Sequence, residues 1–246
     1  MTAPLFPGGV AVSHLQVYDW PADDAPQGSG SPHLHTTSTE AYVTLGGRGR
    51  VETLGPEGYA VHDLAPGRIV WFGPGVIHRA VNLGGLEVLV VMSNAGLPEA
   101  GDAVITFPAD VVADPERYAA AAALPRVDDG ATDAQVAAAA RARRDLALEG
   151  YAALRAAVER DGPSALEPLH AAAADLVAPR TSRWREIWES SVGSAAGQTD
   201  SALEALATAS AATLADGRVA ARDARPGPRR YGMCGRLQTW PLTPSD

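Results

Sequence analysis

The chain has 246 residues and a mass of 25.4 kDa; with 46% apolar and 20% charged residues it can build a sizeable core, which argues against global disorder. Acids outnumber bases 29 to 20 and every base is Arg, so catalysis through a lysine Schiff base is excluded. Residues 1–112 hold 11 acids and 4 Arg, and residues 113–246 hold 18 acids and 16 Arg, so neither half has the basic surplus a phosphate backbone demands and no nucleic-acid partner is expected.

From Met1 to Pro7 there is no basic segment followed by a long apolar one, and no window approaches about 18 uninterrupted apolar residues. The expectation is a cytoplasmic protein without a membrane partner. The single Cys234 leaves no intrachain disulfide.

Short β-branched runs dominate the first half. Those starting at Tyr42, Arg50, Arg68, Ile77 and Leu86 read as strands, separated by Gly-rich breaks such as Gly46-Gly47, Pro66-Gly67 and Gly84-Gly85. Many short strands at close spacing predict an all-β sandwich or barrel over 1–112. Ala then takes over: residues 119–160 contain 17 Ala, the best helix former. Asp114-Pro115-Glu116 reads as a helix start, with an Asp cap and Pro in the first position. Helices are expected near 114–123, 132–160, 163–178, 181–190 and 199–215, with Trp184 and Trp188 on one helix face. The helical region thus runs over 113–216. Residues 217–246 form an Arg- and Pro-rich arm, then a strand-like tail from Tyr231 to Trp240 that is expected to return to the β domain.

Chemistry concentrates in the β half. His33 and His35 are separated by one residue, and on a strand such residues point to one side. Glu40 opens the next strand, and the turn Gly73-Pro74-Gly75 delivers His78 into another. Three neutral imidazoles and one carboxylate suit a divalent first-row metal.

These residues resemble the cupin superfamily. Its first motif, G-x5-H-x-H-x(3,4)-E-x6-G, is matched by Gly28, His33, His35, Glu40 and Gly47, with the leading Gly one residue off. Its second, G-x5-P-x-G-x2-H-x3-N, is matched by Gly67, Gly75, His78 and Asn82, with Gly73 in place of Pro and Pro74 next to it. The resemblance covers roughly residues 12–112 and implies an N-terminal antiparallel β-barrel (a double-stranded β-helix) there; it says nothing about residues 113–246, whose composition predicts an Ala-rich α-helical domain, so the fold class expected for the chain is α+β. It also implies one divalent metal ion per chain, held by His33, His35, Glu40 and His78. Fe(II) is favoured, with Mn, Ni, Co, Cu and Zn as alternatives.

Other residues carry weaker signals. Alternation places Tyr42 and Thr44 on the face of Glu40, so Tyr42 is the candidate catalytic residue, touching substrate or donating a proton, with barrel packing as its plain alternative. Asn82, His14, His62 and His170 read as structural. Arg48, Arg50, Arg68 and Arg79 are expected to face solvent and pair with acids. A tail packed on the barrel can place Cys234 or Tyr231 near the metal, but Cys234 as a small buried hydrophobe is the favoured reading. The helices fit a bundle on the barrel, a homodimer interface or a lid. Three functions remain for a small-molecule substrate: first a non-haem oxygenase, then a non-redox Lewis-acid enzyme (isomerase, cyclase, decarboxylase or lyase), then a ligand sensor without turnover.

Overall fold

The computed structural model describes residues 4–242; the extreme ends of the 1–112 and 217–246 segments lie outside the described residues. Nine strands come first: β1 (Ala11–Val17), β2 (His33–His35), β3 (Glu40–Gly46), β4 (Gly49–Gly55), β5 (Gly58–Leu64), β6 (Ile69–Phe72), β7 (Ile77–Asn82), β8 (Glu87–Met92) and β9 (Ala103–Ile105). Helices α1 (Ala109–Val112), α2 (Pro115–Ala122), α3 (Asp133–Asp161), α4 (Glu167–Val177), α5 (Thr181–Trp188), α6 (Ser194–Ala207) and α7 (Ala212–Ala215) follow, and β10 (Arg230–Tyr231) and β11 (Gly235–Thr239) close the chain. Two antiparallel sheets result, ordered β10-β11-β1-β8-β3-β6 and β5-β4-β7-β2-β9. They face each other as a jelly roll and remain separate in hydrogen bonding.

Burial explains the architecture. Leu15, Val51, Leu64, Ala80, Val88 and Val90 fill the space between the sheets. Leu34, Leu54, Ile77, Val104 and Ile105 instead join a second core with Phe107, Tyr118, Ala147, Tyr151, Leu169 and Trp184 from the helical half. The second sheet is therefore covered on both faces, and every residue of β7 is buried. The helices pack on the outside of the sandwich as a bundle.

Local signals account for the helix starts. The Asp114 carboxylate accepts from the Glu116 and Arg117 amides, and Pro115 occupies the first turn. Thr132 and Gln135 form a reciprocal capping box at the start of α3, and Gly162 ends that helix at φ +84°.

The structure corrects several expectations. β1 and β5 are absent from the strand-like runs read in the sequence, since His14 and His62 interrupt their apolar pattern. The break expected between 190 and 199 is instead a π turn at Glu189–Gly193 that joins α5 to α6. Ser191 Oγ donates to Ile187 O at 2.9 Å there, so small residues that read as a linker stay helical. The helix expected over 199–215 breaks after Ala207, where Ala209 takes φ +55°. Trp184 is buried and donates Nε1–H to Ala100 O at 3.2 Å, whereas Trp188 is largely exposed. Arg79 does not face solvent: it is 1% exposed, and its guanidinium donates to both oxygens of Asp24 at 2.6 and 2.8 Å.

The tail joins the first sheet. β11 pairs with β1 from Ser13 opposite Thr239 to Val17 opposite Gly235, which covers an edge that β1 would otherwise expose. Cys234 is buried in the inter-sheet core.

The contact between α3 and the sandwich is close enough to test. A Cβ on Gly150 would lie 2.2 Å from Thr106 O and 2.4 Å from Phe107 C. Gly→Ala inside a helix ordinarily stabilises by about 1 kcal/mol. Here Gly150→Ala is expected to destabilise by roughly 1–3 kcal/mol, because backbone must move to admit the methyl group. Chemical denaturation measures the sign, and a gain in stability would refute the close approach.

Candidate metal centre

Strand alternation sends Leu34 to the helical-side core and leaves His33 and His35 facing the sandwich interior. β2 pairs with β7 so that His33 stands opposite His78. The turn before β7 needs Gly75 at φ +82°, and it is held from both sides. Its amide donates to His35 O at 2.8 Å, and His170 Nε2–H of α4 donates to its carbonyl at 3.0 Å. Glu40 arrives from the opposite sheet, at the start of β3.

The four side chains converge. One ligand atom from each of His33, His35, Glu40 and His78 lies within 4.8 Å of all the others, and all four residues are buried. Glu40 Oε2 lies 2.9 Å from His78 Nε2 and 3.2 Å from His35 Nε2. These approaches are not aligned as hydrogen bonds, and Glu40 Oε2 and His78 Nε2 are left without hydrogen-bond partners among the described residues. Buried polar atoms orphaned around one point need a partner.

The outer edges of two rings are engaged in hydrogen bonds, and the third faces a carboxylate without an aligned hydrogen bond. His33 Nδ1–H donates to Ser31 O at 2.9 Å and His78 Nδ1–H to Val76 O at 3.2 Å. His35 Nδ1 lies 3.4 Å from Asp102 Oδ2. This arrangement leaves the Nε2 atoms for a common ion, because acceptors on the outer edge of a metal-site histidine orient its ring. Asp102 is itself fixed by the Thr36, Thr37 and Ser38 amides at 2.8–3.0 Å.

Electrostatics fit the same assignment. Burial, then the neighbouring His78 and His35, push His33 well below its ordinary pKa, so its ring is neutral. Burial alone would raise Glu40, but His78 and His35 outweigh it and hold the carboxylate well below the usual range. Asp102 is likewise held down by His35, Ser38 and Thr36 against the effect of burial. For His35 burial acts downward, but Asp102 and Glu40 dominate and raise it to about 9. A divalent ion bound here competes with that proton. The donor set therefore fits a divalent metal ion.

A cavity of about 370 Å³ opens beside the cluster. Leu15, Val90 and Met92 of the sandwich form one wall, Met233, Cys234 and Leu237 of the tail another, and Arg143 of α3 also lines it. Tyr42 lies on the cavity wall with its hydroxyl donating to Cys234 Sγ at 3.7 Å; Cys234 Sγ is in turn 4.0 Å from His33 Nδ1. Burial, then the proximity of Cys234 and Glu40, raise Tyr42 well above its ordinary pKa, and burial followed by Glu40 raises Cys234 to about 12. Both groups hold their protons at neutral pH.

The other residues singled out in the sequence have separate roles. Asn82 Oδ1 accepts from the Gly84 and Leu86 amides at 2.9 and 3.1 Å and shapes a turn. His14 pairs with Glu87 at 2.8 Å, and His62 Nε2 lies 3.2 Å from Thr53 Oγ1. Sequence reasoning missed Asp102 and Arg143. Asp102 belongs to neither motif; only the preceding Gly101 marks its turn. Arg143 sits beside Arg141 and Arg144, a pattern that reads as a solvated helix face.

Residues 22–92 match the family model Cupin_2, described as a cupin domain. Among solved structures, the chain is similar to oxalate oxidase in complex with the substrate analogue glycolate, at 26% identity over 35% of this chain and 51% of that one, with a TM-score of 0.25. It is also similar to vicilin from Corylus avellana (hazelnut), at 21% identity over 27% of this chain and 21% of that one, with a TM-score of 0.26. A third is an uncharacterized conserved protein with a double-stranded β-helix domain from Klebsiella pneumoniae, at 20% identity over 34% of this chain and 62% of that one, with a TM-score of 0.24. The chain thus spans about half the length of the oxalate oxidase it matches. No curated protein matches the sequence.

The site makes two predictions for metal content, read by elemental analysis of purified protein. His35→Ala and His78→Ala each lose most bound metal while the fold survives; full occupancy in both would overturn the ligand assignment. Asp102→Asn keeps all four ligands but weakens metal affinity by about 10–100-fold, because His35 loses its charged orienting partner.

Proposed function

Because residues 22–92 are a cupin domain that brings three imidazoles and a carboxylate to one point, we propose that the chain is a mononuclear metal-dependent enzyme acting on a small organic molecule, with Fe(II) as its metal and oxygenation as its reaction. The observation that carries the proposal is the convergence of His33, His35, Glu40 and His78 beside a mainly apolar cavity of about 370 Å³. When bound, the metal ion supplies open coordination positions and the redox chemistry.

The chain's own residues support oxygenation over proton-moving chemistry. An isomerase or lyase needs a base poised near neutral pH. The cavity offers none beyond the ligands. Tyr42 and Cys234 both hold their protons, and the other carboxylate lining it, Glu99, is exposed and accepts from the Gly96 amide at 3.0 Å. Tyr42 is suited to donate a hydrogen bond, not to remove a proton. The apolar walls exclude water and favour an apolar substrate body.

Protein purified anaerobically without chelators is expected to carry about one iron per chain and to consume O2 in the presence of a substrate drawn from a panel of small organic molecules. Zinc with turnover but no O2 uptake would replace this reading with the Lewis-acid one. Saturable ligand binding without turnover would replace it with a sensor. Tyr42→Phe is expected to leave metal content unchanged and lower kcat by about 100-fold; an unchanged kcat would reduce Tyr42 to packing.

A further inference from the structure

Three arginines are buried, and they are not equivalent. Arg79, 1% exposed, meets Asp24 at 2.6 Å and Glu52 at 3.4 Å. Arg144, 0% exposed, meets Asp145 at 2.7 Å. Arg143, 8% exposed, has no carboxylate in ion-pair range among the described residues. Its two terminal nitrogens donate to backbone carbonyls, to Gly232 O at 2.7 Å and Ala122 O at 3.3 Å; its Nε, like those of Arg79 and Arg144, is buried without an aligned acceptor, so the missing carboxylate is what sets Arg143 apart. A guanidinium has five N–H donors, so these two bonds leave three unused. An uncompensated buried charge is costly to keep.

Arg143 lines the same cavity as His33, His35 and Glu40. From the geometry we infer that Arg143 is the recognition residue for a carboxylate on the substrate of this metal site, so that the ligand class is small organic acids with an apolar body. The inference rests on the metal-enzyme reading above. The charge lining the cavity agrees with it. Apart from the ligand Glu40, the cavity's one carboxylate is exposed Glu99, set against buried Arg143 and exposed Arg230. In a chain of net charge −9, this cavity sets two guanidiniums against two carboxylates, and one of those carboxylates, Glu40, is turned to the histidine cluster. A planar guanidinium with free donors matches a carboxylate better than an ammonium would. The apolar wall of Leu15, Val90, Met92 and Leu237 fits the rest of such a ligand.

The test compares matched acid and amide probes: benzoate with benzamide, and butyrate with butyramide. Binding is followed by NMR titration of the full chain, metal-free and metal-loaded, with metal content measured on the same samples. Wild type is expected to bind the acids at least about tenfold tighter than the amides even without metal, as for a hydrogen bond to a charged group. Arg143→Gln is expected to remove that preference at unchanged metal content, and Arg143→Lys to keep part of it. An equal preference in Arg143→Gln and wild type would overturn the proposal, as would a metal-free wild type that does not distinguish acid from amide. Should both variants fail to fold, the metal-free wild type alone decides. A wild type that prefers acids but takes up no metal would sink the metal reading and leave Arg143 standing; one that takes up metal without preferring acids does the reverse.

Discussion

Three imidazoles and an ionised carboxylate are buried together with too few hydrogen bonds to satisfy them. Each would be expensive alone in an apolar interior. Together they lower the cost in two ways. Opposite charge steadies Glu40, and the outer ring nitrogens of His33 and His78 find the Ser31 and Val76 carbonyls. Of the cluster atoms left without a hydrogen bond, His35 Nδ1 faces Asp102, while Glu40 Oε2 and His78 Nε2 face the shared point and call for a cation as the missing partner. This requirement fixes the spacing of the two sheets, because Glu40 comes from one and the histidines from the other.

Covering the second sheet on its outer face follows from the same strands. A strand that turns His33 and His35 inward must turn Leu34 outward, and one that turns His78 and Ala80 inward turns Ile77 outward. Those outward residues would be exposed without the helices. α3 meets the need by approaching at backbone distance through Gly150, and Thr106 Oγ1 donates to Ala147 O at 3.1 Å. Beside it Arg144 donates to the Trp20 and Pro21 carbonyls at 2.9 and 3.2 Å, tying down the long loop between β1 and β2. Trp20 in turn stacks on Tyr18 with ring centroids 3.7 Å apart.

How much of this is legible in the sequence depends on the range of the interaction. The ligand set is local: His33 and His35 announce themselves by period-two spacing, and His78 by the glycine turn before it. The composition shift near residue 113 separates strands from helices, and Asp114-Pro115 and Thr132 mark helix starts through contacts within one turn. β5 was hidden because it is an edge strand largely open to solvent, with Val61 exposed beside His62, so alternation carries little hydrophobic signal. The π turn was hidden because burial of Ser191 against its own helix overrides its low helix propensity. Asp102, which faces His35, and Arg143, which lines the same cavity, are distant in sequence from the histidines, and no local pattern distinguishes them from surface charges.

That difference in range separates the two parts of the site. All four candidate ligands lie between residues 33 and 78, on strands whose partners all fall within residues 33–105. The cavity beside them is assembled from three parts of the chain: the sandwich, Arg143 of α3, and the tail around Met233 and Cys234. The tail is held there by backbone pairing of β11 with β1, by Arg143 donating to Gly232 O at 2.7 Å, and by Tyr231 donating its hydroxyl to Asp133 at 2.9 Å. Closing a loop of more than 200 residues between Tyr18 and Gly232, joined by a 3.0 Å hydrogen bond, costs little more than closing a short one, because the entropy grows only with the logarithm of length. The chain can therefore leave the histidine–carboxylate cluster to a compact stretch of sequence and recruit distant segments to build the cavity wall beside it. A helical region of net −6 over residues 113–216 that is otherwise a plain scaffold then has a chemical reason to be joined to this β half: it contributes the one buried guanidinium among the described residues lining the cavity.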